Sequence, residues 1–249
     1  MSIRNAIALL FLLLAFPIAS LVPAFAQAAA NGPAPAQAAA DRQDASAVLQ
    51  ALQQGIGKEP PPKIRVTARG SGYVLTTDNG VPLHYGIESY TQELDLKSQT
   101  VSEHIVPANG AAGGTQSPSP ETHTARADDA WSTQYMLWMT PYGFLTGATA
   151  RGATAAAETL DGAKYTVIAF TPMGGQPVRG YVNDQNVLER VRTTFQDPGR
   201  GKVDVEAIYS YWMDFNGSKF PTMIIQKENG ELSRILVVGR VEPASASTS

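Results

Sequence analysis

Along residues 203–215 apolar and polar side chains alternate. Val205, Ala207, Tyr209, Tyr211 and Met213 fall on one face and Glu206, Ser210 and Asp214 on the other, with Ile208 and Trp212 interrupting the polar side. A period of two marks a strand, because successive side chains leave opposite faces of a pleated backbone. The pattern breaks at Asn216-Gly217 and again at Asn229-Gly230. It closes with Ile235, Val237 and Val241 set against Arg234 and Arg240, while Leu236 and Val238 break the alternation. Asparagine tolerates and glycine freely adopts the positive φ of a two-residue hairpin turn, so residues 203–241 predict a three-stranded meander. Apolar residues on both faces predict a sheet covered on one side and partly covered on the other.

The same signals recur upstream. Ile64 and Val66 alternate with Lys63, Arg65 and Thr67; residues 85–96 and 99–106 read as a hairpin after a turn at Asn79-Gly80. Residues 154–160 and 164–171 flank Asp161-Gly162, and residues 178–182 and 187–195 flank the turn-forming run Asn183-Asp184-Gln185-Asn186. Three segments follow the helical period instead. Asp44 is expected to cap a helix with Ala45, Val48, Leu49 and Leu52 on one face and Gly55 as its stop, after which Pro60-Pro61-Pro62 forces an extended path. Asp128 or Asp129 is expected to open a helix carrying Trp131, Tyr135 and Trp138, and Thr140-Pro141 starts another through Phe144, Leu145 and Ala148. Residues 107–125 contain almost nothing apolar and read as a disordered surface loop.

Strands in series with a few inserted helices predict an α+β fold, mostly antiparallel β. The expected form is a curved, open, incomplete β-barrel of about nine or ten strands, with two or three helices packed on or across it. Residues 44–241 form one domain on this reading, with a short disordered tail at 242–249.

Composition adds an address. Residues 1–26 carry Arg4, an apolar run from Ala6, and the small residues Ala24 and Ala26 before Gln27, the three parts of a secretory signal. Cleavage after Ala26 leaves an Ala/Pro-rich linker, residues 27–43, and a periplasmic or secreted protein with no membrane span. The sequence contains no cysteine, which excludes disulfides, lipid attachment at a lipobox and thiolate metal sites. A formal net charge of -3 gives no electrostatic footprint for nucleic acid or an anionic membrane.

Catalytic motifs are missing. His84, His104 and His123 are far apart in sequence and match no zinc-ligand spacing, and no nucleophile elbow, P-loop or dinucleotide fingerprint occurs. Asp204, Glu206 and Asp214 read as a solvated strand face, and Asp184 as a turn former with a polar ligand contact as the alternative. No metal or other cofactor is expected. The suggestive feature is aromatic: Trp131, Tyr135, Trp138 and Phe144 on the helical insert, and Tyr209, Tyr211 and Trp212 on the meander. Aromatics default to the core, but in an incompletely closed barrel they would also line an apolar cavity, and these seven are the candidate ligand-binding residues.

The run LWMTPYGFL at residues 137–145, then Lys164-Tyr165-Thr166-Val167, GYVNDQNVLERV and DFNGSKFPTMIIQK carry a resemblance. They resemble the N-terminal, non-catalytic β-rich region of exported metallo-β-lactamase-fold hydrolases, which is similar in style to the LolA/LolB-type lipoprotein-carrier fold. The zinc motif H-x-H-x-D-H of those hydrolases is not in this sequence. The resemblance therefore implies the non-catalytic domain without the hydrolase. The expected function is an exported, non-enzymatic module binding an apolar or lipid-like ligand in an open-barrel cavity. The alternative is an accessory domain whose periplasmic protein partner is a separately encoded hydrolase.

Overall fold

The structure, a computed structural model, describes residues 43–57, 59–74, 83–108 and 119–244. Its strands are β1 (Gln43–Asp44), β2 (Lys63–Val74), β3 (Leu83–Asp95), β4 (Thr100–Pro107), β5 (Glu121–Arg126) and β6 (Thr154–Leu160) in the first part of the chain. They continue with β7 (Ala163–Phe170), β8 (Val178–Val182), β9 (Leu188–Asp197), β10 (Gly201–Phe215), β11 (Ser218–Glu228) and β12 (Glu231–Pro243). Helix α1 (Ser46–Ile56) lies between β1 and β2, while α2 (Trp131–Trp138) and α3 (Pro141–Ala150) connect β5 to β6.

All the strands join one 12-stranded antiparallel sheet in the order β1-β6-β7-β8-β9-β10-β11-β12-β2-β3-β4-β5. From β6 to β12 each strand pairs with its successor; β12 then takes β2 as its other neighbour. The segment containing α2 and α3 therefore has to travel from the β5 edge to the opposite end of the sheet. It does so across a curved surface. β9 and β4 are six places apart in the sheet order, which in a flat sheet would be about 29 Å. Helix α2 nonetheless contacts β4, β5 and β9, and a helix is only about 10–12 Å across. The sheet wraps around its helices without closing.

The meander forms as its pattern predicts. Asn216 and Gly217 have φ 58° and 93°, Asn229 and Gly230 have φ 51° and 84°, and each pair is the turn between adjacent strands. Val203, Val205, Ala207 and Tyr209 are buried on one face of β10. The Thr140 hydroxyl caps α3 by accepting from the Gly143 N–H at 3.0 Å, with Pro141 in the first turn. Close packing then fixes α3 against the sheet: a Cβ at Gly180 of β8 would stand 2.2 Å from the Phe144 ring.

Several boundaries differ from expectation. The described residues hold twelve strands against the expected nine or ten or so, partly because β5 occupies the end of the stretch read as loop through residue 125. Its side chains are exposed except Ala125; what orders it is main-chain pairing to β4, which needs no apolar pattern. Helix α1 starts from Ala45, which has no side-chain cap, the Asp44 backbone pairs with Thr154, and the helix runs past Gly55 to end at Gly57, φ 91°. Helix α2 starts from Ala130, while the Asp129 carboxylate accepts from the Arg126 N–H at 2.7 Å. β12 runs on to Pro243, into the stretch read as tail. The signal, the linker up to residue 42 and the Asn79-Gly80 turn lie outside the described residues.

Candidate functional site

Two depressions meet where the helices leave the sheet. The larger, about 1120 Å³, lies between α1, α3, the segment Pro60-Pro61-Pro62 and the β3–β4 turn. Its apolar walls come from Ile56 on α1, Leu145 on α3, Leu96 and the three prolines. Gln53 and Gln54 on α1 and Thr146 and Thr149 on α3 supply uncharged polar groups, with Glu59 and Lys97 as the charged ones. The smaller, about 280 Å³, shares Glu59, Pro61 and Tyr142 with it and continues toward Phe215 and Val241.

Each wall is positioned by local structure. The i, i+3 spacing of Thr146 and Thr149 puts both hydroxyls on the same side of α3, away from its buried Phe144 and Ala148. Gln53 Nε2 reaches Thr149 Oγ1 at 3.5 Å, a long contact between the two helices. The prolines cannot join a ladder through N–H, but the Pro62 carbonyl accepts from the Leu96 N–H at 2.8 Å, which ties the segment to the β3–β4 turn. Tyr142 anchors the floor. Its hydroxyl donates to the Lys219 carbonyl at 2.7 Å, and burial pushes that hydroxyl far above the ordinary phenol range.

None of the seven aromatic candidates lines either depression. Trp138 and Phe144 are fully buried, and both meet Phe170, at centroid distances of 5.9 and 5.6 Å. Tyr209 is buried and donates to the Met139 carbonyl at 2.5 Å. Trp131 is half-buried, its indole N–H donating to the Thr194 carbonyl at 2.6 Å, and Tyr135 stacks on Phe195 at 4.6 Å. Trp212 meets Tyr209 edge-on at 6.4 Å, and its indole N–H is buried without a partner among the described residues. Tyr211 stands apart, 71% exposed and with φ 55°. Six of the seven thus pack against the core that underlies the helices, and one faces solvent.

The polar candidates are dispersed. His84 is exposed beside Tyr73, His104 pairs with Thr122 at 2.9 Å, and His123 sits 3.1 Å from Glu121. His123 belongs to β5 rather than to a disordered loop. Glu206 is engaged by Arg190 and Arg192, and Asp184 is exposed. Among the described residues no group of three or more His, Asp or Glu side chains could hold a metal ion, and no helix is long and apolar enough to cross a membrane.

The groove residues gave only a weak signal in the sequence. Pro60-Pro61-Pro62 was legible as an extended segment, but nothing in the linear pattern singles out Thr146 and Thr149 or brings them to Lys97 or Gln53.

No protein-family model matches the chain, and no curated protein does. Among solved structures it is similar to a LolA-superfamily protein from Nitrosomonas europaea, at 12% identity and a TM-score of 0.46, over 82% of this chain and 95% of that one. It is also similar to an outer-membrane lipoprotein-sorting protein domain from Vibrio parahaemolyticus, at 8% identity and TM-score 0.45, over 82% and 94% of the two chains. A DUF1329-family protein from Desulfovibrio piger aligns at 10% identity and TM-score 0.42, over 83% and 95%. The neighbours are thus LolA-superfamily and DUF1329 proteins; an association with metallo-β-lactamase-fold hydrolases is not shown.

Proposed function

We propose that this protein is an exported, non-enzymatic module that binds an apolar or lipid-like ligand in the groove between α1, α3 and Pro60-Pro61-Pro62. One observation carries the reading: a depression of about 1120 Å³ whose walls are mainly apolar, left open beside a well-filled core. Small-molecule sites are concave, mostly apolar and sparsely polar, and this groove has that make-up at a size slightly above the usual range. Its four amide and hydroxyl side chains can orient a ligand without charging it. Concave apolar surface of this extent costs free energy to hydrate, so an occupant that covers it gains from the same burial.

In this reading the buried aromatics support the groove from beneath without lining it. Trp138 and Phe144 hold α2 and α3 against the sheet, and α3 carries Leu145, Thr146 and Thr149 into the groove. Export rests on the signal-like residues 1–26.

Native mass spectrometry of the exported protein tests both parts. Residues from Gln27 onward with a co-purified apolar molecule are expected. Thr149→Trp, which fills the groove from an exposed position, should release that molecule while leaving the far-ultraviolet circular dichroism unchanged. A ligand retained at full occupancy by the folded variant would remove the groove from consideration.

A further inference from the structure

β10 outruns one of its neighbours. It pairs with β9 from Gly201/Asp197 to Ile208/Arg190 and with β11 as far as Phe215/Ser218. Residues 209–215 therefore have β11 on one side and, among the described residues, no strand on the other. β11 is released as well, because its ladder with β12 begins only at Met223/Val237, past Pro221, which has no N–H to give. The end of the β10–β11 hairpin is thus unpaired on both edges among the described residues, apart from the bridge between Ser218 and Gly57.

Tyr211 sits in the middle of that edge with φ 55°, a left-handed backbone that is an outlier for an aromatic residue. A period of two would send its ring inward beside Tyr209; instead it is 71% exposed, and Met213 is 57% exposed. The β10–β11 register passes over Tyr211 and Thr222, and the Thr222 hydroxyl donates to the Tyr211 carbonyl at 2.8 Å. A trans peptide holds its C=O and N–H in opposite directions, so the Trp212 N–H points away from β11, into the open edge. Strained backbone of this kind persists only where its surroundings hold it, and here it turns a donor and an aromatic ring outward together.

Free edges are normally guarded, above all by charged side chains. β5 is guarded in this way: it is exposed and carries Glu121, His123 and Arg126. The β10 edge reads Ser210-Tyr211-Trp212-Met213-Asp214, with a single charge. That run is complementary to itself. Antiparallel pairing about Trp212 sets Asp214 opposite the Ser210 hydroxyl of a second copy, not opposite another Asp214. It also sets Tyr211 opposite Met213, an aromatic–sulfur contact in which the two exposed apolar side chains of β10 cover each other.

We infer that this edge is a self-pairing interface: two copies of the chain join β10 to β10 across a two-fold axis at Trp212, continuing one sheet into the other. A single strand pair lies at the small end of protein interfaces, so the dimer is expected to form in the micromolar range. Phe215, at the end of the same edge, lines the smaller depression, so the interface and that depression share a wall.

Sedimentation velocity of the exported protein, from about 1 to about 500 µM, should show dimerisation by mass action. Tyr211→Lys combined with Met213→Lys, both at exposed positions, sets lysine opposite lysine. That variant should stay monomeric over the same range with an unchanged far-ultraviolet circular dichroism. Engineered cysteines read the register, since the chain has none of its own. Directly opposite residues of an antiparallel pair have Cα atoms about 4.5–5.5 Å apart, within the span of a disulfide. Oxidation of an equal mixture of Tyr211→Cys and Met213→Cys should therefore yield the mixed dimer well above its statistical share. A wild-type protein that stays monomeric throughout, a dimer that survives the lysine pair, or a statistical mixture of disulfides would each overturn the inference. Protection of the Trp212 amide from hydrogen exchange in a strictly monomeric protein would assign the edge to another segment of its own chain, and would overturn it likewise.

Discussion

Arg234 on β12 donates from Nη1 to Glu103 Oε2 on β4 at 3.1 Å, although β2 and β3 lie between those strands in the sheet. Two features make the contact reachable. The sheet curves, and the residue opposite Arg234 on β2 is Gly72, which has no side chain to stand in the way. The second oxygen of Glu103 accepts from the Tyr90 hydroxyl at 2.7 Å and from Gln92 Nε2 at 3.0 Å, and the Arg234 guanidinium lies 5.7 Å from the centroid of the Tyr90 ring. The result is a saturated buried ion pair that ties together strands from the two halves of the chain.

Removing one partner of such a pair strands the other's charge. Arg234→Met is therefore expected to destabilise the fold by about 3–5 kcal/mol, while Arg234→Met with Glu103→Met should recover most of that loss. Urea unfolding of the single and double variants measures both. A loss below about 1 kcal/mol for Arg234→Met would mean that the pair behaves as an exposed one.

Acid should weaken the same pair. Burial by itself would raise the Glu103 pKa, but the Arg234 charge and the bonds from Tyr90, Arg234 and Gln92 outweigh it and hold the carboxyl below its ordinary value. A depressed folded-state pKa contributes stability above the unfolded value, and that contribution is lost as the pH falls through the folded value. The stability gap between wild type and Glu103→Gln should thus be full at neutral pH and shrink below about pH 4. A gap that stays constant down to pH 2 would contradict this assignment.

Alkali should act through the buried phenols. Burial pushes Tyr135 up to about 12, with Glu228 and Glu103 adding to the shift, and burial raises Tyr90, Tyr142 and Tyr209 as well. Here the folded state keeps the proton longer than the unfolded state, so stability is intact below about pH 10 and falls from there up to the folded-state values. Thermal unfolding followed between about pH 9 and 12 should show that fall, and Tyr135→Phe, which removes one of the shifted groups, should make it shallower. An identical pH profile in the variant would exclude Tyr135 as a contributor.

The turns give a sharper backbone test. Gly217 adopts φ 93°, so Gly217→Val is expected to cost about 1–3 kcal/mol, since a β-branched residue there is a backbone outlier. Gly239 on β12 is exposed with open space around its Cβ direction, and Gly239→Val should change stability by less than about 0.5 kcal/mol. Equal unfolding midpoints for the two variants would rule out the turn at Asn216-Gly217.

Two tryptophans with unlike partners should respond differently to loss of the indole N–H. Trp138→Phe breaks the bond from Nε1 to Gln134 Oε1 at 3.3 Å and leaves a buried amide oxygen unpaired as well as a void, for a loss of about 2–3 kcal/mol. Trp212→Phe removes a donor that has no partner among the described residues, so the packing loss is partly offset and about 1 kcal/mol is expected. Chemical denaturation of the pair would refute this account if Trp212→Phe proved the costlier.

Local pattern determined the strands of the meander, their Asn-Gly turns, the hairpins at Asp161-Gly162 and after Val182, and the Thr140-Pro141 start of α3. These are decided by neighbouring residues: side-chain alternation sets the face, and the sign of φ that a residue tolerates sets the turn. The boundaries that moved were those fixed by partners far away in sequence. β5 is ordered by a ladder to β4 that its polar composition does not announce, and the N-cap position of α1 falls on Ala45 while the Asp44 backbone pairs with Thr154.

The candidate site was decided almost wholly by tertiary structure. Aromatic composition pointed to Trp138, Phe144 and Tyr209, because large apolar side chains serve core and cavity alike and the sequence does not distinguish the two uses. Their burial in the core puts them below the groove rather than in its walls. What makes a groove is the meeting of α1, α3, Pro60-Pro61-Pro62 and the β3–β4 turn, and that depends on β12 pairing with β2. Such a pairing joins residues about 170 apart in the chain, as in Arg240 with Thr67, and it is set by which curved sheet best covers the helices rather than by any local run of residues.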